Sequence, residues 1–497
     1  MKERLPESSY SNSHGTTCAA IIRKYYKKGI LSSIKILDEN DLGSKQRLIR
    51  AIEWCIDNKV DIVHLSIGSV YYGDKKELQK IIDKANDFGL LIIAANKNED
   101  VITYPASFHN VIGVKSQRHK SLEEGQYTYT FKPFDGIEIT SCGSHLLENY
   151  KGKQYTTQNC NSFAAPMITA MVAEIIENLS NYSIELIKKI LWEKSNNYNE
   201  DMPFYQSYNS LEWIKNALIF TTYDNQLSVK NYIFNIKEII SINLNTKLEM
   251  FREVFKYLKY HKYALNDIDT VIVESDINIH DSFTEDILLQ LFNYFDFYRK
   301  SIVFLSPESN NLVIVSSLDI SIKPIYYNLL SQSNYMKIEQ NQDKPIILVY
   351  GEIWYNVLNV LSQINDELMK RGYIPIVLTD DIRGAYFGYH HFFVQEEKLF
   401  NYDTEINEKV NNFIGIYNGD IGLIGFSGFS KDNNFVEKIK KVLDIDIVIL
   451  VDVNKENFLY NEALDESSTI ILSDHKLHKD SYKAVVDRIL EMYEVQK

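Results

Sequence analysis

Apolar positions along this chain fall into two patterns that take turns. Uninterrupted runs such as SIKIL (33–37), VDIVHLSIG (60–68) and LLIIAAN (90–96) have the length of strands buried on both faces. Between them, RLIRAIEWCIDN (47–58) and ELQKIIDKANDFG (77–89) repeat apolar residues every three or four positions, as an amphipathic helix does. Strand and helix in alternation predict an α/β fold: a parallel sheet with helices on both faces.

The alternation returns twice. DIDTVIVES (267–275) and KSIVFLS (300–306) frame a helical TEDILLQLFNYFDFY (284–298). A third series runs from KPIILVYG (344–351) through NVLSQINDELMKRGY (359–373), IPIVLTDD (374–381), GDIGLIGFSG (419–428) and DIDIVILVD (444–452) to STIILSD (468–474). Polar stretches at 193–210 and 331–345 read as boundaries. They predict three domains, 1–200, 211–335 and 343–497, within a length ample for several cores.

Composition narrows the function classes. The formal net charge is −14 with no basic block, so the chain lacks the footprint of a nucleic-acid binder. No window reaches the roughly 18 apolar residues of a membrane span, and the first twenty residues lack the apolar core of a signal peptide. The four cysteines, Cys18, Cys55, Cys142 and Cys160, form no CxxC pair, which points away from a disulfide framework or zinc knuckle. A cytoplasmic protein with reduced thiols is expected, with no nucleic-acid or membrane partner and no cofactor; calcium or other metal sites are unknown.

Candidate chemistry gathers in the first 200 residues. In NCNSFAAPMITAMVAEII (159–176), a polar loop runs into a long helix, with Pro166 expected in the first turn, where it costs no hydrogen bond. Ser162 would then stand at the helix N-terminus, where free N–H groups and the dipole favour a developing oxyanion. A serine there is also an ordinary N-cap. His14 lies in NSHGTTCAAII (12–22), and by itself it is equally a core histidine.

Read in order, SHGTTCAAII, VDIVHLSIGS, GLLIIAANKNEDVITYPASFHNVIGV, TSCGSH and NCNSFAAPMITAMVA resemble five blocks of the subtilase family of serine proteases, over residues 10–180. The resemblance implies a subtilisin-like fold and peptide-bond hydrolysis through an acyl-enzyme. His14 matches the general base and Ser162 the nucleophile. Ser66, Ile67 and Gly68, on a strand taken as 64–69, match the cleft wall that pairs with substrate backbone, Gly68 allowing close approach. Of two candidates for the oxyanion asparagine, Asn98 is preferred to Asn96 by an ungapped count from Gly89; a turn asparagine is the plainer alternative. Lys97 replaces the family's usual glycine, and Cys160 and Asn161 replace its Gly-Thr.

One part of that pattern is missing. The family's triad aspartate ends a strand upstream of the histidine, whereas residues 1–13 contain no aspartate, and their only carboxylates, Glu3 and Glu7, follow no strand. Loss of the orienting acid costs roughly 10⁴ in turnover. The expectation is a truncated start, and a chain nearly inactive as written.

Residues 343–452 resemble the nucleotide-binding-like domain of peptide maturation proteins from bacteriocin-type clusters. Gly351 follows a strand and precedes a helix, but no GxxxxGK[ST] accompanies it, so nucleotide hydrolysis is not expected. His390 and His391 in FGYHHFF read as loop packing, since neighbours on an extended segment point to opposite sides. The combined expectation is a serine endopeptidase acting on a peptide precursor, with possible maturation partners. The alternative is a protease-derived module that holds a peptide without cutting it.

Overall fold

The computed structural model describes residues 14–37, 43–98, 101–118, 121–131, 133, 135–148, 152–202, 204, 211–221, 232–242, 247–261, 266–274, 300–306, 311–315, 344–392, 404–427, 435–452, 468–472 and 479–496. The chain divides into two compact units, Met1–Ser207 and Tyr208–Lys497, with the break inside the polar stretch 193–210.

The first unit is built on a five-stranded sheet in the order β1-β2-β3-β5-β4: Ile62–Leu65 (β1), Leu91–Ala95 (β2), Ile112–Ser116 (β3), Tyr127–Tyr129 (β4) and Ile139–Ser141 (β5). All pairs are parallel except β4 with β5. A hairpin, Leu146–Glu148 (β6) with Gln154–Thr156 (β7), leads to the segment that carries Ser162. Helices α1 (His14–Tyr25), α2 (Lys45–Asp57), α3 (Lys75–Asp87), α4 (Asn161–Glu177) and α5 (Ile184–Glu193) complete the unit.

Helix α4 is the pivot. It is apolar on most of its circumference, as a helix surrounded by protein must be, and it packs against β1, β2, β3, β5, α1 and α5. Ala164, Ala165, Met167, Ile168 and Val172 are fully buried with β2 and β3. Lys188 and Glu138 form a buried ion pair at 2.7 Å, the lysine also donating to the His109 carbonyl at 2.7 Å. Burial raises the Glu138 carboxyl above its ordinary range, and Lys188 pulls it back only in part.

SIKIL (33–37) is not a strand. The segment has no ladder partner among the described residues, and Ile30, Leu31 and Ile34 are exposed. An apolar run becomes a strand only where a neighbour completes its hydrogen bonds.

The second unit holds two sheets. In β12-β11-β10-β8-β9, the strands Asn216–Thr221 (β8), Asn235–Ser241 (β9), Thr270–Glu274 (β10) and Ser301–Ser306 (β11) run parallel, and Asn311–Val315 (β12) is antiparallel. The other, β15-β14-β16-β13-β17-β18, is wholly parallel: Ile346–Gly351 (β13), Pro375–Thr379 (β14), His390–His391 (β15), Ile421–Ser427 (β16), Ile447–Val451 (β17) and Thr469–Leu472 (β18). Helices Lys247–Tyr260 (α6), Trp354–Lys370 (α7), Thr404–Ile416 (α8), Phe435–Leu443 (α9) and Lys479–Gln496 (α10) accompany them. The expected helix 284–298 lies outside the described residues.

Gly351 has a packing reason to be glycine: a Cβ there would stand 2.9 Å from the Val451 carbonyl oxygen and 3.0 Å from Val357. His390 sits against the rings of Phe413 and Tyr417, at 4.8 and 4.6 Å between centroids. A buried ionic cluster occupies the same unit. Arg383 pairs with Asp381 and Glu274 and lies 3.4 Å over the Trp354 ring, and burial pushes Glu274 up to about 7.

Candidate active site

Helix α4 begins at Asn161, with Cys160 as its N-cap residue in extended conformation. This moves two expectations. Ser162 is the second helical residue, not the cap. Pro166 is sixth rather than in the first turn, so its missing N–H leaves the Ser162 carbonyl without the donor that an α-helix provides four residues on. The Ser162 N–H itself belongs to the first turn, where no intrahelical acceptor exists.

The loop before the helix is pinned from several sides. Asn161 Oδ1 accepts from the Ser116 N–H at 2.7 Å and hydroxyl at 2.8 Å, and its Nδ2 donates to the Lys97 carbonyl at 2.6 Å. Asn159 takes the Gly143 N–H at 3.0 Å and donates to Gln117 O at 2.8 Å. A side chain at Gly143 would collide with the Cys160 backbone, at 2.6 Å from its oxygen. The serine therefore starts its helix from a backbone tied to the ends of β2 and β3.

Both asparagine candidates stand just past β2. Asn98 Oδ1 accepts the Asn161 N–H at 3.1 Å, which brings Asn98 to the serine loop and leaves its Nδ2 bonded to no described residue. Asn96 is buried on the strand end, its Oδ1 without a hydrogen bond, and its N–H goes to Val114 O at 2.9 Å.

His14 opens α1, which packs on α4. Its ring stacks on Phe163, the residue after Ser162, at 5.3 Å between centroids. The Ser162 hydroxyl is bonded to no described residue, His14 included. At His14 Nδ1 stands Cys18 Sγ, one turn on, at 3.9 Å; among the described residues no carboxylate pairs with the ring. Glu3 and Glu7 lie outside the described residues.

The expected strand 64–69 ends earlier, at Leu65. Ser66, Ile67 and Gly68 continue as irregular backbone, and Ser69 then bridges Tyr104 through bonds of 2.8 Å in both directions. Gly68 permits a close approach, but of the chain's own Thr103–Tyr104 segment: a Cβ would stand 2.5 Å from Thr103 Cγ2 and 2.7 Å from Tyr104 O.

Two further histidines reach the serine helix, unforeseen because histidine on an apolar strand or in TSCGSH carries no spacing signal. His145, buried, reaches the Phe163 carbonyl with Nε2 at 2.9 Å; a carbonyl only accepts, so Nε2 carries the proton and Nδ1 accepts from the Tyr25 hydroxyl, also 2.9 Å away. Burial lowers its pKa, leaving it neutral beside Glu124. His64, on β1, contacts Thr169 Oγ1 at 3.0 Å through Nδ1 and Ser66 Oγ at 2.8 Å through Nε2. Burial of the ring, and secondarily His14, push it down to about 4, although the residue as a whole keeps some exposure.

His14 and Asn98 thus both reach the start of the helix that carries Ser162. Residues 3–208 match the model of the subtilase family. The first unit is a subtilase domain. The minor extracellular protease Epr of Bacillus subtilis (strain 168) is 32% identical over 180 residues, covering 33% of this chain and 27% of that protein. The thermostable alkaline protease of Halalkalibacterium halodurans is 28% identical over 196 residues, covering 37% of this chain and 53% of the relative. The chain thus spans about a quarter and about a half of the length of these two relatives. Among solved structures, the prenylagaramide maturation protease PagA aligns with a TM-score of 0.29 at 22% identity, over 39% of this chain and 76% of that one. The family is one of serine-type proteases.

Proposed function

We propose that the chain is a serine endopeptidase whose nucleophile is Ser162. The reading is supported above all by the packing of α1, which carries His14, on α4, which carries Ser162, with the Asn98 amide bonded to the same helix start. In this reading Ser162 Oγ attacks the scissile carbonyl as His14 takes its proton. The oxyanion is met by the Ser162 N–H, which the Cys160 thiol also faces, and by Asn98 Nδ2. The tetrahedral intermediate collapses to an acyl-enzyme, His14 protonates the leaving amine, and water completes the cycle. The peptide lies along Ser66, Ile67 and Gly68.

The proposed substrate is a peptide precursor met in the cytoplasm with maturation partners, a reading resting on the resemblance of residues 343–452. A second reading is favoured by one observation, the thiol rather than carboxylate at His14 Nδ1: a module that binds the peptide without cutting it. Incubation with a mixed peptide library separates the two. Fragments that disappear with Ser162→Ala support the peptidase; retention of intact peptides by both forms supports the binding module.

A further inference from the structure

Proline at position 166 creates a deficit that the surrounding side chains fill. The Ser162 carbonyl, denied its helical donor, receives Ser66 Oγ at 3.0 Å and Cys18 Sγ at 3.5 Å. The thiol is the weaker donor. Whether Ser66 can keep its proton on that carbonyl depends on His64, which touches the same hydroxyl.

The protons can be counted. His64 is neutral at pH 7 and carries one. If that proton is on Nδ1, it goes to Thr169 Oγ1, and the bare Nε2 claims the Ser66 hydroxyl proton, leaving Ser162 O to the Cys18 thiol alone. If it is on Nε2, His64 donates to Ser66 Oγ, and Ser66 donates onward to Ser162 O. Thr169 then turns its hydroxyl from the Ala165 carbonyl, 3.0 Å away, toward Nδ1. That loss is small, because Ala165 O still receives the Thr169 N–H as an ordinary helical acceptor. A part-buried carbonyl left without a strong donor costs more than a second bond removed from a satisfied one.

We infer that His64 is a positioning residue: as the Nε2–H tautomer it holds the Ser66 hydroxyl on the Ser162 carbonyl, in place of the donor Pro166 lacks, and so fixes the peptide that carries the nucleophile. This rests on the reading of Ser162 as nucleophile. His64 touches neither substrate nor Ser162 Oγ and acts only through Ser66.

The test uses the full chain. Labelling of Ser162 by a fluorophosphonate is timed in the wild type, His64→Leu, His64→Gln and Ser66→Ala. His64→Leu and Ser66→Ala should each slow the labelling step by roughly three- to tenfold, the value of one neutral hydrogen bond, and His64→Leu should do so without weakening reversible reagent binding. The double variant should be no slower than either single one. His64→Gln, whose amide can still donate to Ser66, should recover most of the rate. In parallel, nitrogen NMR of the wild-type chain labelled at histidine reads the tautomer directly, with a proton on Nε2 of His64 expected. A proton on Nδ1, or wild-type labelling by a folded His64→Leu, overturns the inference. A wild type that takes no label at all defeats the peptidase reading, while the tautomer still decides the hydrogen-bond assignment.

Discussion

At the scale of single residues, the proposal places different demands on two neighbouring asparagines. Asn98 is tied by its oxygen to the Asn161 N–H and keeps its amide protons for an oxyanion. Asn98→Ala should therefore lower kcat by roughly 10²–10³ with little change in KM. Asn96→Ala, at a buried strand end, should act mainly on stability; steady-state kinetics and melting of the two variants check this, and the reverse pattern would move the role to Asn96. The candidates themselves come from residue types and order: His14, Ser162 and Asn98 each stand in a motif block. His64 and His145 stand in such blocks too but carry no signal of their own, because what recruits them is a carbonyl deficit created by Pro166 and a contact with Phe163, and neither exists until the course of α4 is known.

At the scale of elements, the sheet of the first unit is held by groups whose protonation matters. His64 and His145 are kept neutral by burial, and His109 is pushed down to about 3, with burial the main cause and Lys188 the second. The sign follows: between the ordinary value of 6.5 and the lowered ones, the unfolded chain binds protons that the folded unit does not. Stability of this unit should thus fall as pH drops from about 7 toward 4, by about 1.4 kcal/mol per pH unit for each histidine at most. Denaturant titrations across that range should give a shallower dependence for His64→Gln, by close to one proton. The Lys188–Glu138 pair makes a different prediction. Lys188→Ala strands a buried carboxylate and should cost about 3–5 kcal/mol, whereas Lys188→Met with Glu138→Leu should cost far less; chemical denaturation of both separates the ion from its packing. Periodicity located most of these elements, α2, α3, β1 and β2 among them, since each has a buried face. It failed at SIKIL, where composition suits a strand but the described residues offer no ladder.

At the scale of the whole molecule, the two units should answer pH in opposite directions. In the second unit Glu274 is raised to about 7 by burial, with Arg383 opposing, so the folded state binds its proton more tightly than the unfolded chain. That contribution is complete below the ordinary 4.5 and lost as pH rises through about 7. Limited proteolysis at pH 5 and pH 8, with fragments assigned by mass, should show the first unit relatively weaker in acid and the second relatively weaker in base. The alternation of strand and helix was enough to assign both units to the α/β class. The buried cluster of Glu274, Asp381 and Arg383 was not visible, because its members lie 107 to 109 positions apart or two apart on a turn, and only the fold brings them together.

Everything proposed for the first unit depends on Ser162 being a nucleophile served by His14. That role is tested most directly by exposing the full chain to a fluorophosphonate and mapping the modified peptide by mass spectrometry. Phosphonylation of Ser162 is expected, slow because no described carboxylate meets His14, and abolished by His14→Ala. A label on another serine, or none after prolonged exposure, would contradict it.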